Sequence, residues 1–204
     1  MRNNKWAGIC ICIALFFVLL FLVKTGNAAF IDDPIRNAVF SLRADWLTVI
    51  MKSITYMGNW QTITAICFIL LIIKKTRITY GVPLSIGAIF VPLINKGIKA
   101  LVLRPRPDKA FFLIEQGGWS FPSGHAITTM FFYGMLIYII RSNVKNKTLA
   151  NVLTAVLAIP MLLGGISRIY LGVHYPTDVL AGWCLAIAVI LLIIKINGRR
   201  RSDS

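Results

Sequence analysis

The stretch LANVLTAVLAIPMLLGGISRIYLGVHYPTD, residues Leu149–Asp178, decides the fold of this chain. Its first part, Leu149–Ile166, is apolar and close in length to the roughly 20 residues that cross a lipid bilayer as a helix. Another apolar run begins at Val179, directly after the stretch. The segment between the two runs carries arginine, histidine and aspartate. This order predicts two membrane-spanning helices joined by a short segment of chemically active side chains.

The composition extends this interpretation to the whole chain. Hydrophobic residues make up 57% of its 204 residues and the mean hydropathy is +0.76, which is too apolar for a soluble domain of average composition. No internal repeat or linker divides residues 1–204, so we expect a single domain. The formal net charge is +15, but lysine and arginine fall in short bursts between apolar runs. That pattern is typical of a membrane topology signal and argues against a nucleic-acid partner.

The fold class predicted from hydropathy is an all-α integral membrane protein with six transmembrane helices. The six apolar runs are Trp6–Val23, Met57–Ile73, Tyr80–Val102, His125–Ile140, Leu149–Ile166 and Val179–Ile194. After the first run, Asp33–Lys52 places apolar side chains at helical spacing between charged ones, which predicts an amphipathic helix on the membrane surface. The first run is alternatively a cleaved signal peptide, because small residues follow it at positions 26–29, but its length favours a retained span.

Six spans place both termini on one side of the membrane. The basic residues on that side are Arg2, Lys5, Lys74, Lys75, Arg77, Arg141, Lys145, Lys147, Lys195, Arg199, Arg200 and Arg201. They cluster at the termini and in short loops, whereas the cations on the opposite side concentrate in the two loops that contain histidine. The positive-inside rule then predicts a multi-pass protein of the cell membrane with cytoplasmic termini and extracytoplasmic histidine loops.

Cysteine usage indicates neither a disulfide framework nor a metal site. Cys10, Cys12, Cys67 and Cys184 all lie inside apolar runs, and none has the spacing of zinc ligands. We therefore expect these cysteines to be small buried hydrophobic side chains.

Three short segments on the predicted outer side carry the polar chemistry. They are Lys99–Pro107 (KALVLRPRP), Pro122–His125 (PSGH) and Ser167–Asp178 (SRIYLGVHYPTD). His125 and His174 are the only histidines of the chain, and imidazole exchanges protons near neutral pH. Because charge inside a bilayer is costly, cations at the ends of spans indicate an anionic partner or a polar pocket.

The residue types in these segments suit a phosphate group. Lys99 supplies a point charge, whereas Arg106 and Arg168 supply planar forks that match phosphate oxygens. Ser123 and Gly124 open a predicted helix, whose unpaired backbone N–H groups attract an anion. The segments therefore predict a phosphate site on the outer side.

The spacing of His174 and Asp178 suits a catalytic histidine. Residues four apart lie on one face of a helix, so the aspartate would bond one ring nitrogen and leave the other free to attack. By itself this spacing is common, and its value comes from the neighbouring segments.

Several other residues near the three segments have two open interpretations. Lys96, Arg104 and Lys109 fit either a phosphate site or a basic rim at the level of the lipid headgroups. Trp119 and Phe121 fit either lipid access to the site or interfacial anchoring.

Together the three segments resemble the type-2 phosphatidic acid phosphatase superfamily of membrane lipid phosphatases. The family's signatures are Lys-x6-Arg-Pro, Pro-Ser-Gly-His and Ser-Arg-x5-His-x3-Asp. In this chain they read Lys99…Arg106-Pro107, Pro122-Ser123-Gly124-His125 and Ser167-Arg168…His174…Asp178, within a signature region of residues 96–178. The first span and the surface helix are similar in arrangement to those of small bacterial phosphatidylglycerophosphatase B-like enzymes.

The resemblance implies a lipid phosphatase that needs no metal or other cofactor and forms a phosphohistidine. It implies that His174 attacks phosphorus, that Asp178 orients His174, and that His125 protonates the leaving oxygen and then helps to activate water. The residues implied to hold the phosphoryl oxygens are Lys99, Arg106, Ser123, Gly124 and Arg168.

The implied substrates are phosphomonoester or pyrophosphate lipids. They are phosphatidylglycerol phosphate, undecaprenyl pyrophosphate, phosphatidic acid and diacylglycerol pyrophosphate, and no motif ranks them. A non-enzymatic lipid-phosphate binder or transporter is the alternative, because it would use the same cations. The pair of histidines favours the enzyme, and a pore or scaffold would leave the three segments unexplained. The sequence does not address the oligomeric state.

Overall fold

The computed structural model describes residues 4–200, and every regular element in that range is helical. The helices are α1 (Asn4–Lys24), α2 (Ala29–Phe40), α3 (Asp45–Tyr56), α4 (Trp60–Ile72), the single turn α5 (Lys74–Thr76), α6 (Val82–Val102), α7 (Gly124–Asn143), α8 (Lys147–Tyr170) and α9 (Pro176–Arg200). A π-helical segment, Arg77–Gly81, leads into α6, and a 3-10 turn, Lys109–Phe111, follows it. The all-α prediction is confirmed for this range. Arg2 and Arg201 of the topology prediction lie outside the described residues.

Four helical segments are long and apolar enough to cross a membrane. They are Lys5–Lys24, Lys74–Val102, Lys147–Tyr170 and Pro176–Ile196, and α3 with α4, bent by 49° at their junction, would form a fifth. The remaining predicted span coincides with α7, which carries polar residues in its first turns and is largely buried among the other helices. A helix that its neighbours shield does not need an apolar surface toward lipid. The six-span count therefore stays a prediction.

The predicted surface helix, Asp33–Lys52, is two helices in the structure, α2 and α3, which corrects the prediction of one continuous element. The helices separate at Ala44, whose backbone is extended (φ −150°, ψ 153°). The preceding Arg43 turns inward, and its Nη2 donates to the carbonyl oxygens of Tyr170 at 2.8 Å and Phe111 at 2.9 Å. Because these carbonyls lie at helix ends and lack intrahelical donors, they attract the guanidinium. The inward bonds fix the break between α2 and α3.

Helix α7 forms the centre of the packing, against α6, α8 and α9. Its aromatic residues Phe131, Phe132 and Tyr133 are buried in the largest apolar cluster. Helices α7 and α8 approach so closely that a Cβ on Gly164 would lie 2.5 Å from Cγ2 of Thr129. This approach requires glycine. It brings the first turns of α7 and the last turns of α8 side by side.

A second apolar cluster joins α1 to the loop before α7. Phe121 is fully buried there, and its ring lies 5.8 Å from that of Phe16. Neither alternative for Phe121 holds, since a buried core residue can neither admit lipid nor anchor at an interface. Trp119, by contrast, is 44% exposed.

The two ends of the helix bundle carry different groups. Lys195 near the end of α9 places Nζ 3.3 Å from the ring centroid of Trp6 at the start of α1. At the opposite end, Lys24 Nζ donates to the carbonyl oxygen of Val102, the last residue of α6, at 3.0 Å. The loops that follow α6 and α8 lie at this second end. The predicted reactive segments are therefore opposite the start of α1 and the end of α9.

The cysteines match their prediction only in part. Cys67 is buried in the largest apolar cluster, and Cys12 and Cys184 are partly buried. Cys10 is exposed on α1, because the packed face of this helix is the one that bears Phe16 and Leu19.

Candidate active site

Main-chain hydrogen bonds bring the three predicted segments together. Ser123 N donates to the carbonyl oxygen of Asp178 at 3.0 Å, which joins the start of α7 to the first turn of α9. Ser120 N donates to the carbonyl oxygen of Arg104 at 2.9 Å, which joins the two ends of the long loop after α6. The segments thus form one polar region at a single end of the bundle.

His174 lies between α8 and α9 and is 3% exposed. Its Nδ1 lies 3.2 Å from Oδ2 of Asp178, and its Nε2 lies 3.0 Å from Nη1 of Arg106. A guanidinium can only donate hydrogen bonds, so Nε2 must accept and the ring proton must lie on Nδ1. The carboxylate therefore fixes the tautomer, and the lone pair of Nε2 points toward positive charge.

Asp178 is fully buried and is held by several donors. The backbone N–H of Tyr175 donates to Oδ2 at 2.9 Å, and the hydroxyl of Ser120 donates to the same oxygen in a short hydrogen bond. Arg104 donates to the other oxygen, Oδ1, at 2.7 Å. With both oxygens engaged, Asp178 holds the ring of His174 in one orientation.

Arg104 connects Asp178 to Asp32 of α2. Its Nη2 donates to Asp32 Oδ2 at 2.6 Å. Asp32 also accepts the backbone N–H of Thr177 at 2.8 Å, so it caps the start of α9 from another helix. Burial lowers the pKa of Arg104, but the carboxylates of Asp178 and Asp32 outweigh that effect and raise it overall. Arg104 thus pairs with buried carboxylates instead of forming a rim at lipid headgroups.

Lys99 and Arg106 both donate to the loop that precedes α7. Lys99 Nζ donates to the carbonyl oxygen of Ser120 at 3.0 Å and to that of Trp119. Arg106 Nε donates to the carbonyl oxygen of Gly118 at 2.9 Å, and its Nη2 donates to Trp119 O at 3.3 Å. Carbonyl oxygens of one loop therefore surround the two cations that are predicted to bind phosphoryl oxygens.

Arg168, in the last turn of α8, is 1% exposed. Its Nη1 donates to Thr55 Oγ1 of α3 at 3.0 Å, and its Nη2 donates to Gln116 Oε1 in a short hydrogen bond. Its Nε–H has no partner among the described residues. An unsatisfied buried donor on a cation is costly, so this position favours an anionic acceptor.

His125, in the first turn of α7, lines a cavity of about 500 Å³ together with Arg168. Its Nε2 lies 2.8 Å from Oδ1 of Asn59. Ser123 caps α7, since its hydroxyl accepts a backbone N–H of the first turn, and Gly124 is the first helical residue. Both histidines therefore lie near Arg168. His125 lines the same cavity as Arg168, and the charge of Arg168 lowers the pKa of His174.

Burial governs the protonation state of the site. It lowers the pKa of His174 to about 3; the hydrogen bond that His174 donates to Asp178 opposes this shift, while Arg106 and Arg168 add to it. Burial also lowers the pKa of Arg106, and Asp178 opposes that shift. At neutral pH His174 is therefore an uncharged imidazole beside cations, which is the form that a nucleophile requires.

Sequence reasoning missed the residues that support the predicted ones. They are Asp32, Thr55, Asn59, Gln116 and Ser120. Only α3 carried a usable signal, because its polar residues recur at helical spacing toward its end.

Lys96 and Lys109 are exposed. Within residues 4–200, no group of three or more His, Cys, Asp or Glu side chains could hold a metal ion.

Comparison with known proteins assigns this arrangement to a family. The profile of the PAP2 superfamily matches residues 80–202. Phosphatidylglycerophosphatase B of Bacillus subtilis is 31% identical over 186 residues, which cover 87% of this chain and 89% of that protein. An undecaprenyl-diphosphatase of Sulfolobus acidocaldarius is 31% identical over 143 residues, which cover 68% of this chain and 63% of that protein. The chain belongs to the PAP2 superfamily, and the predicted resemblance is confirmed.

Solved structures show the same fold. A transmembrane PAP2-type phosphatidylglycerolphosphate phosphatase from Bacillus subtilis superposes with a TM-score of 0.83 and 26% sequence identity, over 94% of this chain and 96% of that chain. The LpxE structure from Aquifex aeolicus, at 22% identity, has a TM-score of 0.64 over 82% of this chain and 95% of its own. The second similarity concerns the fold alone. The named sequence relatives are phosphatases of lipid phosphates, which supports a hydrolase activity of this class.

Proposed function

We propose that this protein is a metal-independent lipid phosphate phosphatase that forms a phosphohistidine at His174. The observation that carries the proposal is the setting of that ring. The Nδ1–H faces Asp178 while the Nε2 lone pair faces Arg106, and burial keeps the ring uncharged. A neutral imidazole held by a carboxylate and directed at a cationic group suits attack on a phosphoryl group.

In the first step, Nε2 of His174 attacks phosphorus and the bond from phosphorus to the lipid oxygen breaks. The ring gains positive charge as the P–N bond forms, and Asp178 stabilises that charge through Nδ1–H. His125 donates a proton to the leaving oxygen. The phosphoryl oxygens take the place of loop acceptors and bind Lys99, Arg106, Arg168, Ser123 and the backbone N–H of Gly124.

In the second step, water attacks phosphorus while His125 accepts a proton from that water. The P–N bond breaks, inorganic phosphate leaves, and the lone pair of His174 is restored. Uncatalysed hydrolysis of phosphate monoesters is so slow that enzymatic accelerations reach about 10²¹-fold. Positioning and fixed positive charge must supply most of this acceleration, and the buried Arg168 and half-buried Lys99 and Arg106 are suited to that role.

The membrane arrangement forms part of the proposal. We place six spans across the cell membrane, both termini in the cytoplasm and the site at the extracytoplasmic face. The Lys195–Trp6 contact supports it, because it puts the start of α1 and the end of α9 at the end of the bundle opposite the site. The basic bursts near the termini and in short loops supply the direction.

The substrates that we propose are phosphomonoester or pyrophosphate lipids, in line with the relatives named above. Phosphate release from purified protein in an uncharged detergent tests the proposal on phosphatidic acid, diacylglycerol pyrophosphate, phosphatidylglycerol phosphate and undecaprenyl pyrophosphate. We expect release from at least one lipid, unchanged by EDTA and abolished in His174→Ala. Substantial turnover in the variant would contradict the nucleophile, and loss of activity with EDTA would contradict the metal-independent mechanism.

A non-enzymatic lipid-phosphate binder or transporter is the second candidate. The unsatisfied Nε–H of Arg168 favours a bound anion in either case. Binding alone, however, does not require an uncharged imidazole held by a carboxylate. Saturable binding of these lipids by well-folded protein, without any phosphate release, would favour this second candidate.

A further inference from the structure

A polar stripe on α3 and on the α3–α4 junction extends from the active-site region along one wall of the cavity that His125 lines. Its members, Lys52, Thr55, Tyr56 and Asn59, all line that cavity. Lys52 lies three and four residues before Thr55 and Tyr56, on one face of α3, and Asn59, the N-cap residue of α4, follows past the end of α3. Thr55 contacts Arg168 and Asn59 contacts His125, so two members of the stripe already touch the site.

Lys52 is the cation of this stripe, and it has no hydrogen bond or ion pair with another described residue. The other cations near the site are engaged. Lys99 and Arg106 donate to loop carbonyl oxygens, and Arg168 donates to Thr55 and to Gln116. Lys52 is half-buried, so its ammonium group is available to an anion that enters the cavity.

The position of Lys52 relative to Arg168 sets where such an anion lies. Lys52 precedes Thr55 by three residues, which is a rise of about 4.5 Å along the helix, and Thr55 Oγ1 lies 3.0 Å from Arg168 Nη1. An anion on Lys52 is therefore a neighbour of the phosphoryl group proposed at Arg168 without sharing its donors. Glu115 is the one acidic residue that lines this cavity, and it is exposed.

The inference rests on the proposed function, in which His125 protonates the leaving oxygen, so that the leaving group occupies this cavity. We infer that Lys52 binds a second, anionic phosphate within the leaving group. The site then prefers lipids with such a phosphate to phosphatidic acid, whose diacylglycerol leaving group is uncharged. The second phosphate is attached directly in diacylglycerol pyrophosphate and through a glycerol linker in phosphatidylglycerol phosphate. Lys52 is a specificity-determining residue on this basis.

Three variants test this assignment in mixed micelles of an uncharged detergent. Lys52→Gln removes the charge, Lys52→Arg keeps it, and Lys109→Gln removes an exposed charge that lies outside this cavity. The substrates are phosphatidic acid, diacylglycerol pyrophosphate and phosphatidylglycerol phosphate with matched acyl chains. The measured quantity is kcat/KM for each lipid, and gel filtration with thermal unfolding checks the fold of each variant.

We expect Lys52→Gln to lower kcat/KM about tenfold for one or both lipids with a second phosphate and to change it less than about twofold for phosphatidic acid. Lys52→Arg and Lys109→Gln should retain the preference. The lipid whose kcat/KM falls more shows whether Lys52 binds a second phosphate that is attached directly or one that is attached through glycerol.

An equal loss on all three lipids, or no loss, would overturn the inference and leave the phosphatase intact, since phosphate would still be released. No release from any lipid by the unsubstituted, folded protein would overturn both proposals. Retained selectivity in Lys52→Gln with loss of selectivity in Lys109→Gln would also overturn the assignment, because it would place the second phosphate elsewhere.

Discussion

Arg104 and Asp178 form a buried ion pair in which Nη1 lies 2.7 Å from Oδ1. The same guanidinium lies 2.6 Å from Asp32, so one arginine separates two carboxylates that are at most 2% exposed. Removing one partner from a buried pair costs about 3–5 kcal/mol, because the remaining charge is left uncompensated. Arg104 therefore fixes Asp178, and through Asp178 it fixes the ring of His174.

Arg104→Lys should lower kcat by about 10- to 100-fold with little change in KM. Lysine keeps the charge but cannot donate to both carboxylates as a planar fork, and the loss of a charged hydrogen bond of about 1.5–3 kcal/mol gives this range of rates. Steady-state kinetics on a lipid phosphate measures both constants. A rise in KM at constant kcat would instead mean that Arg104 binds the substrate phosphate.

Asp32→Asn supplies the matched control for this position. It removes one of the two carboxylates but supplies an amide oxygen, Oδ1, that can still accept from Thr177 N. In the Arg104→Lys background it should restore part of the thermal stability, because a single cation then faces a single carboxylate. Unfolding temperatures of the two single variants and the double variant measure this coupling.

Asn59→Ala should lower kcat by about two- to tenfold. Asn59 is the N-cap residue of α4, yet its side chain makes no capping bond and is directed at His125. The α4 N-terminus thus forgoes a cap worth about 1 kcal/mol, and the loss of the histidine contact, about 0.5–1.5 kcal/mol, falls on catalysis. Activity across pH together with the unfolding temperature measures the effect.

Asn59→Asp distinguishes a contact with a proton donor from a merely structural contact. A carboxylate favours the protonated imidazole, so the alkaline limb of the kcat profile should move to higher pH. An unchanged profile in Asn59→Asp, with a large drop in unfolding temperature in Asn59→Ala, would assign Asn59 to stability alone.

The reactive residues were predictable because they lie in short motifs, but their supports were not. Asp32 and Arg104 are 72 residues apart, and no local pattern pairs them. The same applies to Arg43, whose partners are the carbonyl oxygens of Phe111 and Tyr170. These bonds break the predicted surface helix, although the apolar spacing is continuous across residues 33–52. Hydropathy predicts whether a segment faces lipid. It does not predict that a side chain such as Arg43 donates hydrogen bonds to carbonyl oxygens at the ends of distant helices.

Hydropathy predicted the positions of the helices more accurately than it predicted which helices cross the membrane. The apolar run Leu149–Ile166 became α8, Lys147–Tyr170, because the helix continues past the apolar residues into the site. This extension places Arg168 on a rigid element. Helix α7 also coincides with a predicted apolar run, but its burial among other helices weakens the link between apolarity and a membrane span.

His174 should remain uncharged down to about pH 5 in the substrate-free protein, because burial lowers its pKa to about 3. An unfolded chain would protonate this ring near pH 6.5. The ring therefore contributes stability that is complete above pH 6.5 and declines as the pH falls toward 3. Nitrogen NMR of labelled histidine measures this directly, since the chain has only two histidines.

The activity should likewise not depend on protonation of His174 above about pH 5. An acidic limb of kcat/KM between about pH 5 and pH 7 would belong to the substrate phosphate, because the nucleophile does not titrate there and a proton donor such as His125 would govern the alkaline limb. An imidazole signal assigned to His174 that titrates near pH 6.5 would contradict this prediction. The His125→Asn variant leaves one histidine and makes the assignment unambiguous.

Gly172→Ala should destabilise the protein by about 1–3 kcal/mol or more and reduce activity. Gly172 has φ 78°, and a Cβ there would lie 2.1 Å from the carbonyl oxygen of Phe111, so alanine adds backbone strain and a steric clash. The shift would displace His174, two residues further on. Gly97→Ala is the control, since its Cβ meets no atom within 4 Å and alanine favours a helix. Equal unfolding temperatures for both variants would contradict this account.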